Sequence, residues 1–221
     1  MPPVKNHAKT KQNMNSSIFR LLNEELYTKS SGFSAQKFKE SPELFKIYHD
    51  GYKQQLDQWP IKPFDIASKF VQQFKNNEKI GDIGCGTAQL AQKFKQCNIE
   101  SFDIGCTDDI KELVRIANMT NLPVADEYFD ALVYSLSIMP TDQYKVLNEA
   151  HRILKMNGTM LIIEVISRVK NVDEFAKKVE KYGFKCTIKE ENKFFFSCEF
   201  QKIEKGEGTG GLLDPCIYKR R

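Results

Sequence analysis

The chain has 221 residues, of which 41% are hydrophobic and 28% are charged, a balance typical of one globular domain with a small extension. No stretch approaches the roughly 20 apolar residues that a membrane span requires, and the polar first residues predict no signal peptide. Six cysteines without a C-x-x-C pair and three scattered histidines argue against zinc. We therefore expect no membrane association, no metal, and reduced thiols in the cytosol or nucleus.

The charge is concentrated at the two ends. Residues 1–20 carry four basic and no acidic side chains, and residues 219–221 are all basic, whereas the rest of the chain is mildly acidic. Basic ends suit a polyanionic partner such as RNA, but solvated tails explain the charge equally well. We expect residues 1–15 to be a disordered basic tail and residues 205–221 to be a linker with a basic C-terminal tail.

Residues 16–62 have helical patterns and predict an N-terminal helical extension. Ser16 and Ser17 can cap a first helix that ends near Tyr27. A serine, a proline and an acid at residues 41–43 are typical of a helix start, and this helix should end near Gln58. A short helix is expected between these two, at 34–40.

Residues 63–204 alternate between strands and helices, which predicts a mostly parallel sheet with helices on both faces. The closing pair of strands reads as an antiparallel hairpin. The seven predicted strands are 80–83, 99–103, 113–117, 131–136, 160–165, 185–189 and 194–200, and the predicted helices are 64–74, 88–94, 143–154 and 172–182.

A glycine-rich loop, DIGCGTA at residues 82–88, connects the first strand to a helix. Dinucleotides require G-x-G-x-x-G, but Gln89 occupies the position of the third glycine. S-adenosylmethionine has no phosphate, and D-x-G-x-G is the usual methyltransferase form. A P-loop is excluded because no G-K-[ST] follows. A tight turn without a ligand is the remaining alternative.

Two further strand ends carry polar residues that suit a nucleoside. Asp103 ends the second strand, where a carboxylate can accept hydrogen bonds from both ribose hydroxyls, although a simple turn aspartate is also common there. Asn118 and Met119 end the third strand. The amide can meet an adenine edge while the methionine packs on the ring.

Further motifs resemble the nucleomethylin, or ribosomal RNA-processing protein 8, family of nucleolar methyltransferases. The N-terminal helix and the C-terminal heptapeptide are specific to this family, whereas the glycine loop is generic. The matching stretches are FRLLNEELY at 19–27, YHDGY at 48–52, WP at 59–60, DIGCG at 82–86, FD at 102–103, SLSIM at 135–139, EAHRILK at 149–155, EVISR at 164–168 and PCIYKRR at 215–221.

The resemblance implies a Rossmann-like class I S-adenosylmethionine methyltransferase that modifies ring N1 of an adenine in large-subunit ribosomal RNA. It also implies a nuclear, nucleolar location, with chromatin or pre-ribosome partners. Three features depart from the family: Asn118 replaces an aspartate, Pro140 replaces a glycine, and the basic N-terminal region is short. The implied cofactor-binding residues are His49, Gly84, Asp103, Asn118, Met119 and Ser135.

Ring-nitrogen chemistry is also favoured by the segment after the fourth strand. Exocyclic-amine methyltransferases commonly place an N-P-P-Y-like segment there, whereas residues 135–140 contain no aromatic residue. A ring nitrogen has an in-plane lone pair and needs no prior deprotonation. Glu164 is our candidate for stabilising the positive charge that develops on the ring, with a structural pairing to Arg168 as the alternative.

Two other classes of function remain open at this level. One is a cofactor-binding subunit of a chromatin-silencing complex, which the resemblance permits. The other is a small-molecule methyltransferase, which the family-specific ends disfavour.

Overall fold

The computed structural model describes residues 5–57 and 59–216, with side chains from Met14 onwards. Seven strands form one sheet in the order β3-β2-β1-β4-β5-β7-β6, which confirms the predicted α/β class. The strands are β1 (Lys79–Ile83), β2 (Asn98–Asp103), β3 (Val114–Ile116), β4 (Phe129–Ser135), β5 (Leu154–Val165), β6 (Phe184–Glu191) and β7 (Phe195–Lys202). The helices are α1 (Lys5–Thr28), α2 (Ser31–Glu40), α3 (Glu43–Leu56), α4 (Pro63–Val71), α5 (Gln89–Lys93), α6 (Gln143–Ile153) and α7 (Val172–Glu180).

Strand pairing places a ligand crevice at the centre of the sheet. Strands β1 to β5 pair in parallel, and β7 runs antiparallel between β5 and β6. The chain winds from β1 outwards to β3 and then returns to place β4 on the other side of β1. Open α/β sheets bind ligands where the strand order reverses, outside the carboxyl ends of the strands.

The central strands are buried on both faces, as parallel strands between helical layers should be. On β4, Leu132 packs into the larger core with α6 and α7, whereas the next residue, Val133, packs into the core under α4. Burial of both faces fixes the register of β4, because a slip by one residue would exchange the two sets of side chains.

The N-terminal helices pack over the carboxyl edge of the sheet around a third apolar cluster, which includes Phe19, Phe38 and Phe45. Helix α1 crosses α3 at Gly51, where an added Cβ would lie 2.5 Å from the Phe19 ring. A glycine inside a helix is destabilising, but here it permits close approach of the two helices. Helix α3 is thereby held against the sheet edge.

Two predictions for the N-terminal segment are wrong. Helix α1 begins at Lys5, so residues 5–15 are not a disordered tail, and the serines at 16 and 17 lie inside the helix rather than at its cap. The segment from 5 to 28 contains no glycine or proline to stop a helix. Residues 1–4 lie outside the described part of the chain. Helix α2 also begins earlier than predicted, where the Ser30 side chain accepts the Phe33 N–H.

The segment from 205 to 216, predicted as a linker and the start of a tail, packs on the domain. Gly208 donates its N–H to the Asn148 side chain, and Leu212 and Leu213 are buried in the larger core. Both leucine N–H groups donate to Gln143 at the start of α6. The basic residues 219–221 lie outside the described residues.

Within the described residues, no helix has the length and apolar character needed to cross a membrane. Across residues 5–57 and 59–216, no three His, Cys, Asp or Glu side chains are grouped so as to hold a metal ion.

Candidate functional site

A cavity of about 430 Å³ lies at the carboxyl ends of β1, β2 and β4, beneath α2 and α3. Its volume is in the range of sites that hold small molecules and cofactors. The structure brings together in its lining all six residues implied for cofactor binding: His49, Gly84, Asp103, Asn118, Met119 and Ser135.

The glycine loop forms the floor of this cavity. Gly84 and Gly86 have φ values of +73° and +56°, a region that side-chain-bearing residues rarely adopt. A Cβ on Gly84 would lie 2.4 Å from the Ser137 Cβ. The N–H groups of Gly84 and Cys85 both donate to the Phe102 carbonyl, at 2.8 and 3.1 Å. The loop is therefore pinned to the end of β2, and the absence of a side chain at Gly84 lets Ser137 pack directly on it.

Helix α3 covers the loop through two contacts with glycines. His49 packs on Gly86, where an added Cβ would lie 2.8 Å from the imidazole Cε1. Phe45 packs on Gly105, where an added Cβ would lie 2.7 Å from the Cδ2 of the ring. The two rings also contact each other, with centroids 4.3 Å apart. Burial lowers the pKa of His49 to about 4, so the imidazole is neutral near pH 7.

Two carboxyl groups, the buried Asp82 and the half-buried Asp103, lie at the strand ends beside the loop. Asp103 accepts the N–H of Gly86 at 2.8 Å and the N–H of Ile104 at 2.7 Å. Burial raises the pKa of Asp103 to about 6, against the opposing effect of these hydrogen bonds. Burial and the neighbouring Asp103 raise the pKa of Asp82 to about 7. Asp82 was not among the residues predicted from the sequence, although it is the first residue of the D-x-G-x-G motif.

Asn118 organises the turn after β3. Its Oδ1 accepts hydrogen bonds from the N–H and the hydroxyl of Thr120, at 3.1 and 3.0 Å. These bonds engage the amide oxygen and leave the amide NH₂ as the remaining polar group of this side chain. Met119 lies close to the glycine loop, since a Cβ on Gly84 would be 3.4 Å from its terminal methyl.

The segment after β4 forms a sharp turn beside the same cavity. Leu136 has a φ of +56°, a strained conformation of the kind that clusters at functional sites. The Ser137 hydroxyl donates to the Ile83 carbonyl at 2.7 Å, which ties the turn to β1. The Tyr48 hydroxyl on α3 donates to the Met139 sulfur at 3.6 Å, which connects the turn to the covering helix.

Glu164, our candidate for a catalytic role, is not among the described residues that line the cavity. Its side chain is fully buried and pairs with Arg168 at 2.7 Å, and its Oε1 accepts the Ile138 N–H at 3.1 Å. The Arg168 guanidinium also lies over the Tyr27 ring, 4.7 Å from its centroid, and donates to the Asp214 carbonyl. This position favours the structural pairing with Arg168 over a direct catalytic role.

Comparison with known proteins identifies relatives along almost the whole chain. A 25S rRNA (adenine(645)-N(1))-methyltransferase of Schizosaccharomyces pombe is 39% identical over 96% of this chain and 71% of that protein. Proteins named ribosomal RNA-processing protein 8 from Caenorhabditis elegans and Mus musculus are each 35% identical over 97% of this chain. The chain spans 63% and 48% of the length of these two relatives.

Solved structures share the fold at low sequence identity. A Burkholderia thailandensis 1,6-didemethyltoxoflavin-N1-methyltransferase aligns with a TM-score of 0.60 and 13% identity, covering 77% of this chain and 87% of that one. A SAM-dependent methyltransferase from Aquifex aeolicus aligns with a TM-score of 0.54 and 15% identity, covering 74% and 99%. These likenesses confirm the methyltransferase fold.

A family model described as hypothetical methyltransferase matches residues 5–221. Together with the fold, this match confirms S-adenosylmethionine as the predicted cofactor. The chain belongs to the hypothetical methyltransferase family, and its ribosomal RNA-processing protein 8 relatives confirm the resemblance that its sequence motifs carry.

Proposed function

We propose that this protein methylates ring N1 of an adenine in large-subunit ribosomal RNA, with S-adenosylmethionine as the methyl donor. The observation that carries the proposal is the single cavity lined by all six implied cofactor residues, in a chain 39% identical to an rRNA adenine-N1 methyltransferase. Ribosome biogenesis in the nucleolus is the process and place that we propose for this reaction.

The cavity fits the charge and shape of the proposed cofactor. S-adenosylmethionine carries a sulfonium and an ammonium group, and the buried Asp82 and the half-buried Asp103 both line the cavity. A bound cation favours their ionised forms, which burial alone disfavours. Gly84 and Gly86 let Ser137 and His49 approach the loop closely, and a side chain on either glycine would displace these walls of the cavity. We place the ribose at Asp103, the adenine near Asn118 and Met119, and the methionine portion toward Ser135.

The reaction requires little acid–base catalysis from the protein. The bound cofactor supplies an electrophilic methyl group. Held by the glycine loop, Asp103 and Met119, S-adenosylmethionine would supply this methyl group to the N1 lone pair of adenine and would leave as the neutral thioether, and no proton would have to be removed first. The protein has to hold N1 in line with the methyl group, exclude water, and tolerate the positive charge that the adenine gains. The carboxyl groups of Asp82 and Asp103 favour a cationic product in the cleft.

The target base has to leave its stack to reach this buried methyl group. Helices α2 and α3 cover the cavity, so the base would enter between them and the turn after β4. The described structure assigns no residue to the chromatin or pre-ribosome partners, which remain a proposal that rests on the relatives alone.

Primer extension tests the proposal. Unmodified large-subunit rRNA is incubated with the protein and S-adenosylmethionine, and we expect reverse transcription to stop at one adenine, because N1 methylation blocks pairing. The Asp103→Ala variant, which loses the ribose acceptor, should give no stop. If the wild-type protein binds the cofactor but produces no stop in any rRNA, a cofactor-binding subunit of a silencing complex becomes the better account.

A further inference from the structure

One question left by the site is which side chain holds the target base. The turn after β4, residues 135–140, contains no aromatic residue that could stack on it. The aromatic rings of the cavity come from other elements: Phe38 from α2, Phe64 from α4, Phe102 from β2, and Phe45, Tyr48, His49 and Tyr52 from α3. The spacing of the four α3 rings places them on one face of the helix.

The contacts of α3 show that it lies across the ends of three strands. Phe45 packs on Gly105 after β2, and His49 packs on Gly86 after β1. The Tyr48 hydroxyl, on the residue before His49, contacts Met139 in the turn after β4. Helix α3 therefore contacts the segments that follow β2, β1 and β4.

Beyond the helix, the chain continues towards β5 and β7. Trp59 stacks on Phe194 and Phe195, with centroids 5.9 and 5.6 Å apart. Phe195 pairs with Val165 at the end of β5. Tyr52 lies one turn after Tyr48 on the same helix and its ring neighbours that of Tyr48, so it lies beside the residue that contacts the turn after β4.

The ring of Tyr52 is suited to a flat ligand. It is half-buried and lines the cavity, whereas Phe45 and Tyr48 are buried in the helical cluster. The rings of Tyr48 and Tyr52 are nearly parallel, with an interplanar angle of 10° and centroids 6.3 Å apart. Tyr48 is itself held by Met139, so the pair gives Tyr52 a fixed plane.

We propose that Tyr52 forms the stacking surface of a purine subsite, on which the target adenine of a single-stranded RNA lies with its N1 edge toward the cofactor. This inference rests on the proposed function and deepens it. Aromatic side chains stack on bases without reading their sequence, so Tyr52 would position the base while RNA context selects it.

Two variants of Tyr52 distinguish a role of its aromatic ring from a role of its hydroxyl group. In Tyr52→Leu we expect kcat/KM for a methyl-accepting rRNA fragment to fall about 5- to 150-fold, the range that loss of one base–aromatic stack produces. Tyr52→Phe keeps the aromatic ring and should retain most of the wild-type kcat/KM. Calorimetry should find S-adenosylmethionine affinity unchanged in both, which also shows that they fold. Phe33→Leu is the matched control, because Phe33 is an exposed ring on α2 that is not among the described lining residues.

A second readout does not depend on methyl transfer. A short RNA with one 2-aminopurine flanked by uridines should lose fluorescence on binding the wild-type protein and Tyr52→Phe, but not Tyr52→Leu. Unchanged kcat/KM and unchanged quenching in Tyr52→Leu would overturn the stacking role, as would loss in Tyr52→Phe equal to that in Tyr52→Leu. If the wild-type protein quenches but never methylates RNA, the proposed function fails while the subsite stands.

Discussion

The buried pair of Glu164 and Arg168 gives a prediction with a large expected effect on stability. Both side chains have 0% exposure, and the carboxylate and guanidinium are 2.7 Å apart. Glu164→Gln keeps the shape of the side chain but removes its charge, which leaves the arginine buried without a counter-charge. Removing one partner of a buried pair costs about 3–5 kcal/mol in the free energy of unfolding.

For a chain of this size, that loss corresponds to a fall in Tm of about 6–20 °C. Thermal unfolding followed by circular dichroism measures it. The double variant Glu164→Gln with Arg168→Met removes both charges and should recover much of the lost stability. Below the melting range, cofactor affinity of Glu164→Gln should stay close to the wild-type value, because Glu164 does not line the cavity.

The opposite pattern would refute this reasoning. If Glu164→Gln melts at the wild-type temperature but loses methyl transfer at saturating cofactor, Glu164 acts on the reaction itself. Loss of stability with no recovery in the double variant would show that the hydrogen bond from the Ile138 N–H, rather than the charge pair, carries the effect.

Three further predictions concern the site and its cover. Burial raises the pKa of Asp103 to about 6, so the protonated fraction of its carboxyl group increases as pH falls through this value. Cofactor affinity measured by calorimetry should therefore weaken below about pH 6. Asp103→Asn should bind the cofactor more weakly and should lose this pH dependence. Gly86→Ala, which must displace the His49 ring and hold alanine at a φ of +56°, should weaken cofactor binding at least about tenfold and lower Tm, and wild-type affinity would contradict the cover role of α3. Gly51→Ala should lower the free energy of unfolding in urea by about 1–3 kcal/mol despite its better helix propensity, and the added variant Phe19→Leu should restore part of it.

The sheet and the glycine loop could be predicted from the sequence because their signals are local. Strands such as β4 are continuous apolar runs, and the glycines at 84 and 86 occupy positions that structure and ligand both restrict. The prediction that Asp103 ends β2 beside the loop follows from the same βαβ order, and the structure joins the two through the Gly86 N–H.

The contacts that involve distant segments could not be predicted in this way. The sequence shows Glu164 and Arg168 four residues apart, but their burial depends on Tyr27 and Asp214, from opposite ends of the chain. The packing of α3 on two glycine backbones also produces no periodic pattern in the sequence from which it could be predicted. His49 could therefore be predicted as a cofactor-binding residue only from the family resemblance. Asp82 was not predicted as a site residue, although it is the first residue of the D-x-G-x-G motif.

The chemical identity of the methylated product tests the central claim most directly. The protein is incubated with unmodified large-subunit rRNA and S-adenosylmethionine carrying a heavy-isotope methyl group, the RNA is digested at mildly acidic pH, and nucleosides are separated by mass spectrometry. Mild acid prevents rearrangement of 1-methyladenosine to its 6-methyl isomer. We predict that the label appears in 1-methyladenosine and is absent when Asp103→Ala replaces the wild-type protein. Label in 6-methyladenosine or 5-methylcytidine instead would contradict the account.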